Sequence, residues 1–245
     1  MSFIDAKNIW KSYGDNIILE NVNFSMQAGE FCTLVGPSGC GKTTFLRMLL
    51  GVEEQTKGKL FFQGKDYPTE PSDERGIVFQ RYSTLSHLNV IDNVVIGLEF
   101  ESSKFLGKLF GSEKKKAYEK ADEILKAVGL ADSRNKYPHE LSGGMKQRLS
   151  IAQSLVKEPK LLLLDEPFGA LDPGISQDMH ELLLSIQKKL NFGVVMVTHD
   201  IAEAFKLGTR VLVFDKVRID KDFPNRYGST IVNDIDSSKE RKNEK

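Results

Sequence analysis

The run FCTLV at 31–35 leads without a break into GPSGCGKTT and then FLRMLLG. Strand, glycine-rich loop and helix in that order form the context that a phosphate-binding loop requires, and they tie the chain to an α/β layout. Gly36, Gly41, Lys42 and Thr43 fit the spacing G-x-x-x-x-G-K-[ST]. Small residues there let backbone amides crowd around phosphate oxygens where a Cβ would obstruct. Lys42 offers a point charge to β- and γ-phosphates, Thr43 a hydroxyl for Mg2+, and the following helix points its positive end at the anion. A chance turn with a stray lysine is the competing reading, and the flanking strand and helix argue against it. The candidate nucleotide contacts of this loop are Gly36, Ser38, Gly39, Cys40, Gly41, Lys42, Thr43 and Thr44.

The rest of the chain has the alternation such a loop needs. NVNFSM at 21–26 alternates strictly and precedes Gly29, which predicts an antiparallel or mixed β lobe first. After GIVFQ at 76–80 the texture becomes rich in Leu, Lys, Glu and Ala from 84 to 150, which predicts an inserted helical lobe. LLLLD at 161–165 returns to strand. Asp172 as N-cap with Pro173 at the first helical position starts a helix, and GVVMVTHD is strand again. The predicted fold is an α/β P-loop NTPase with a mostly parallel, doubly covered core sheet, an antiparallel β lobe and the helical insertion. One domain is expected, with core 1–83 and 151–235, helical lobe 84–150 and a charged tail at 236–245.

LLLLDEP supplies acids to complement the loop. A buried strand carries Asp165 to its C-terminal tip, where open α/β sheets bind ligands, so Asp165 is the candidate magnesium ligand and Glu166 the group that polarises attacking water. A strand ending in a solvated acidic turn is the plainer alternative. A second glycine-rich stretch, LSGGMKQR at 141–148, opens a helix and has no lysine placed as in GKT. Ser142 and the amides of Gly143 and Gly144 form a helix N-terminus suited to an anion. The phosphate loop lies on the other lobe, so the anion expected there is a γ-phosphate held by a second copy of the chain.

GPSGCGKTT, Gln80, LSGGMKQR, LLLLDEP, ALD and TH together resemble the nucleotide-binding domain of ATP-binding cassette (ABC) transporters, in order and spacing, from residue 3 to about 215. The resemblance implies that Tyr13 stacks on adenine, that Gln80 touches magnesium and senses a membrane partner, and that Asp172 reaches across a dimer seam. It implies too that His199 bonds the γ-phosphate. Plain structural roles compete: an edge-strand aromatic, a loop glutamine, a helix cap, a core histidine. Met145 departs from the glutamine usual at the end of the signature, a feature similar to importers of nitrate, sulfonates and taurine. The segments 79–111 and LGTRVLVFDKVR to YGSTIVNDI resemble the branch associated with urea carboxylase. Implied cargoes are guanidine, urea or another small nitrogen compound, with taurine, sulfonate or nitrate as alternatives.

The partners implied are a second copy in a head-to-tail ATP sandwich, two integral-membrane permease subunits and, indirectly, an extracytoplasmic solute-binding protein. The expected place is the cytoplasmic face of the plasma membrane, held peripherally. Lysine plus arginine (34) balance aspartate plus glutamate (34), which gives no global field favouring nucleic acid. Two cysteines suit a reducing compartment, the first residues lack an export signal, and no unbroken apolar span of ~18 residues occurs. The rival class is a soluble, non-transport cassette ATPase. Phe105, Leu106, Leu109 and Phe110, flanked by Lys104, Lys108 and Lys114 to Lys116, read either as an amphipathic element facing membrane or permease or as an apolar face packed inside the helical lobe. Cys40 reads either as a redox-sensitive thiol or as a small residue in the loop.

Overall fold

The computed structural model describes residues 2–80, 83–102, 109–220, 222, 223 and 225–237, with only the backbone for 100–102. The chain opens with the hairpin β1 (Ile4–Tyr13) and β2 (Asn16–Met26), then β3 (Phe31–Val35), α1 (Lys42–Leu50), β4 (Lys57–Phe62), β5 (Lys65–Asp66) and β6 (Arg75–Val78). Three helices follow, α2 (Val90–Ser102), α3 (Gly111–Ala127) and α4 (Gly143–Leu155). The last third alternates: β7 (Leu161–Asp165), α5 (Pro173–Leu190), β8 (Gly193–Val197), α6 (Ile201–Leu207), β9 (Arg210–Asp215), β10 (Thr230–Asp236).

These strands make two sheets. The smaller is antiparallel in the order β2-β1-β4-β5, and the larger runs β10-β9-β3-β8-β7-β6. Every pair in the larger sheet is parallel except β10 on β9. Apart from Asp165 and Gly193, β3, β7 and β8 are runs of Val, Leu, Met, Phe, Cys and Thr with almost every residue buried, the composition demanded of strands covered on both faces. Their period of two divides the core. Leu161 and Leu163 face the cluster that holds α1 between the two sheets, where Phe24 meets Phe45 edge-on at 5.7 Å. Leu162 and Leu164 face α5 and the cluster that continues into the helical lobe.

The helical lobe is less regular than a continuous helical texture predicts, because polar side chains order its connections. Asn93, 1% exposed on α2, accepts the Leu85 amide at 2.7 Å and donates to the carbonyls of Leu85, Leu88 and Asn89. It pins the turn at 85–89 that leads into α2. Leu109 is buried in the lobe core, whereas Phe110 is 65% exposed at the start of α3 and Lys114 to Lys116 face solvent. Phe105, Leu106, Lys104 and Lys108 lie outside the described residues, as do Arg81 and Tyr82. No described helix is long and apolar enough to cross a membrane.

Candidate functional site

β3, β8 and β7 are neighbours in parallel, so their C-terminal ends bring three turns to one edge of the sheet. The phosphate loop follows β3, the Asp165–Glu166 pair ends β7, and Thr198–His199 follows β8. The registers align Asp165 with Val197, one residue before Thr198. A cleft of about 260 Å³ opens between these turns, lined by Ile18, Ser38, Gly39, Gly41, Lys42, Thr43, Thr44, Glu166 and His199.

The loop's geometry follows from its glycines. Gly36 sits at φ 147°, and a Cβ there would fall 2.1 Å from the carbonyl oxygen of Phe214 on β9. Glycine is needed at this position so that the loop can turn tightly over the neighbouring strand, a reason distinct from leaving room for phosphate. Lys42, only 7% exposed, donates from Nζ to the carbonyls of Gly36 at 2.7 Å and Pro37 at 2.9 Å. Its ammonium is thereby held against the inner wall of the loop. Cys40 is buried behind it, with Sγ 3.5 Å from that ammonium.

Thr43 Oγ1 donates to Asp165 Oδ1 at 3.2 Å, which joins the first turn of α1 to the tip of β7. The Asp165 carboxyl is pushed above its ordinary value chiefly by burial and also by the charge of Glu166, against the Thr43 hydrogen bond and the charges of Arg47 and Lys42. A cation at this point would relieve that penalty. Among the described residues no three His, Cys, Asp or Glu side chains cluster into a metal cage. The hydroxyl–carboxylate pair suits magnesium, which takes one or two protein oxygens and leaves its other positions to phosphate and water.

Glu166 adopts φ 47°, and its amide bonds to Val197 O at 2.9 Å, a kinked backbone that turns the side chain out over the sheet edge. Its Oε2 lies 3.5 Å from His199 Nδ1 and 3.4 Å from Gln80 Nε2. Two side chains separated widely in sequence, Gln80 and His199, thus converge on one carboxylate.

The remaining sequence candidates stand apart from the cleft lining. Tyr13 ends β1 with its ring 48% exposed beneath the Lys11 ammonium, 4.7 Å from the centroid, and burial with the nearby Glu53 raises its phenol. Ser142 is the N-cap of α4, accepting the Met145 amide at 3.3 Å, with Gly143 and Gly144 as the next two residues. Asp172 occupies the N-cap position of α5 with Pro173 first in the helix, but its carboxylate makes no capping bond and is exposed. Ile18 was missed by sequence reasoning: it is an apolar residue in mid-strand, and only the packing of β2 against Gly41 brings it to the cleft.

The profile described as ABC transporter matches residues 19–169. The spermidine/putrescine import ATP-binding protein PotA of Nitrosomonas eutropha is 40% identical over 223 residues, which are 90% of this chain and 59% of that protein. The sulfate/thiosulfate import ATP-binding protein CysA of Neisseria meningitidis is also 40% identical, over 220 residues, 89% of this chain and 60% of the relative. The chain therefore spans about 60% of the length of these curated relatives. Among solved structures, cbiO1 of Clostridium perfringens, part of the ABC transporter complex cbiONQ, superposes with a TM-score of 0.80 at 26% identity, covering 99% of this chain and 92% of that one.

Proposed function

The chain belongs to the ABC transporter family, and on that premise we propose that it is the ATP-binding and ATP-hydrolysing subunit of a membrane importer. The observation that carries the reading is the Glu166 carboxylate held between Gln80 and His199 at the mouth of the phosphate-loop cleft. Lys42 exchanges the carbonyls of Gly36 and Pro37 for β- and γ-phosphate oxygens, and the loop amides with the N-terminus of α1 hold the rest of the triphosphate. Thr43 and Asp165 hold magnesium, which when bound neutralises charge on the phosphate oxygens. Glu166 orients a water and takes its proton as the water attacks the γ-phosphorus, in line with the departing ADP oxygen. His199, whose Nδ1 lies 3.5 Å from Glu166, donates a ring N–H to the γ-phosphate.

A second copy completes the site in this proposal. Ser142, Gly143 and Gly144 of one copy close over the γ-phosphate held by the other, with Tyr13 against the adenine and Asp172 at the seam. Two permease subunits receive the motion through Gln80 and the loop that Asn93 orders, a solute-binding protein delivers cargo outside, and the chain works peripherally on the cytoplasmic face of the membrane. For the branch and cargo, the proposal is the nitrate/sulfonate/taurine type associated with urea carboxylase, carrying guanidine, urea or a similar small nitrogen compound. What supports it is the resemblance of segments 79–111 and 207–235. The two relatives above are named for a polyamine and for an oxyanion, so the cassette itself does not select between such cargoes.

Glu166→Gln tests the core of the reading: ATP binding is retained, turnover falls by about 10²-fold or more, and an ATP-bound dimer accumulates. Turnover near that of the parent protein removes Glu166 from its role. Co-purification in mild detergent with a multi-span membrane protein supports the importer. Recovery with ribosomal proteins or nucleic acid favours the non-transport class instead.

A further inference from the structure

A second cavity, of about 300 Å³, is lined by Glu166, Phe168, Thr198, His199 and Glu203 together with His180 of α5. The turn that carries His199 and the turn that carries Glu166 both line it, and their side chains meet at 3.5 Å. A side-chain hydrogen bond joins α5 to α6 at this cavity. His180 Nε2 on α5 meets Glu203 Oε1 on α6 at 2.8 Å, and both side chains are about nine-tenths buried, at 9% and 10% exposure. The carboxylate accepts, so Nε2 carries the proton. Nδ1 of the same ring is buried without a hydrogen-bond partner among the described residues, and the ring packs edge-on against Phe168 at 4.9 Å.

Glu203 is more than an anchor for a histidine. Its other oxygen accepts the hydroxyl of Thr198, whose Oγ1 in turn accepts the Asp200 amide at 3.1 Å. Its own amide donates to Asp200 Oδ1 at 3.1 Å. The residues on both sides of His199 are thus tied to a single glutamate, and that glutamate is tied to the helix that begins beside Asp172. A buried bond of this kind is costly to leave half made, which favours its persistence when the neighbouring turns move.

We propose that His180 and Glu203 are positioning residues that fix His199 relative to Glu166, and that they carry displacements of the N-terminal end of α5 to the His199 imidazole. This rests on the ATPase reading above for its effect on turnover but not for its structural content. The experiment uses the full chain labelled with 15N in its histidine rings, His199 being assigned through His199→Ala, and compares the parent protein with His180→Leu, His180→Gln and Glu203→Gln. With no nucleotide added, His180→Leu and Glu203→Gln change the His199 ring-nitrogen shifts, while His180→Gln, which keeps a donor in place, stays near the parent. In steady-state ATPase assays kcat falls about tenfold for His180→Leu and Glu203→Gln, with KM for ATP within about twofold, and His180→Gln recovers most of the loss. Unchanged His199 shifts together with unchanged kcat in folded His180→Leu overturn the proposal, as does a loss in His180→Leu that His180→Gln does not rescue. If His180→Leu fails to fold, Glu203→Gln decides by the same two criteria. A parent protein without ATPase activity refutes the functional reading and leaves the His199 shifts to judge the coupling.

Discussion

Replacing Gly36 with alanine separates two reasons for a glycine in a phosphate loop. The new Cβ meets Phe214 O at 2.1 Å and Cys40 Sγ at 3.2 Å, where ordinary contact begins at 3.4 Å, so the loop has to retreat from β9 by about 1 Å. Backbone strain at φ 147° adds to this overpacking, and together they cost about 4 kcal/mol of folding stability. Gly36 O also holds the Lys42 ammonium. A displacement of that size moves the ammonium and the loop amides out of register and lowers nucleotide affinity about 10²-fold. Gly39→Ala is the control: φ is 78° and nothing lies within 4 Å of its Cβ, so only the left-handed backbone is penalised, by about 1–2 kcal/mol. Urea unfolding followed by far-ultraviolet circular dichroism, with fluorescent-ATP titration, reads both quantities. Equal stability of the two variants, or a loss under about 1 kcal/mol for Gly36→Ala, refutes the close-approach argument.

Three further outcomes follow from the same geometry. Asp165 has its carboxyl raised by burial, so its protonated form suits the nucleotide-free fold and its ionisation costs stability as pH rises through that value. Asp165→Asn therefore raises Tm at neutral pH while removing magnesium-dependent turnover, and its advantage over the parent disappears as pH is lowered to about 4; an advantage independent of pH contradicts the burial penalty. Asn93→Leu strips the Leu85 amide and three loop carbonyls of their partner and destabilises by about 3 kcal/mol in urea titration, where a loss below about 1 kcal/mol shows that water replaces those bonds freely. Cys40, 5% exposed behind Lys42, reacts with a thiol reagent only on the timescale of loop opening, so immediate modification in the folded protein means that the loop is far more open than its packing indicates.

What the sequence made legible depended on locality. The strand–loop–helix around Lys42, the buried run LLLLD and the helix start at Asp172–Pro173 are each written in consecutive residues, and each lies where that spacing predicts. Strand β1 escaped the alternation test because the pairing with β2 shifts register between Ala6 and Ile9, with Asn8 at φ 50°. The strand reading at 21–26 caught only the end of β2, since Asn21 at φ 51° interrupts the pattern before it. Leu109 and Phe110 belong to one apolar face by spacing, yet the first is buried and the second exposed, because the helix begins only at Gly111. The His180–Glu203 pair had no local signal at all, since the two helices meet only once β8 has crossed the sheet between them.

The placement of β3 also has a consequence for how the protein is made. Its two hydrogen-bonding neighbours are Gly193–Val197 and Arg210–Asp215, so an apolar strand laid down near residue 31 waits for most of the chain before either edge is paired. On the ribosome this leaves FCTLV as an open, aggregation-prone edge while the helical lobe can already form from local contacts. Nascent chains stalled before Gly193 should engage holding chaperones through this strand, and synthesis past Asp215 should release them.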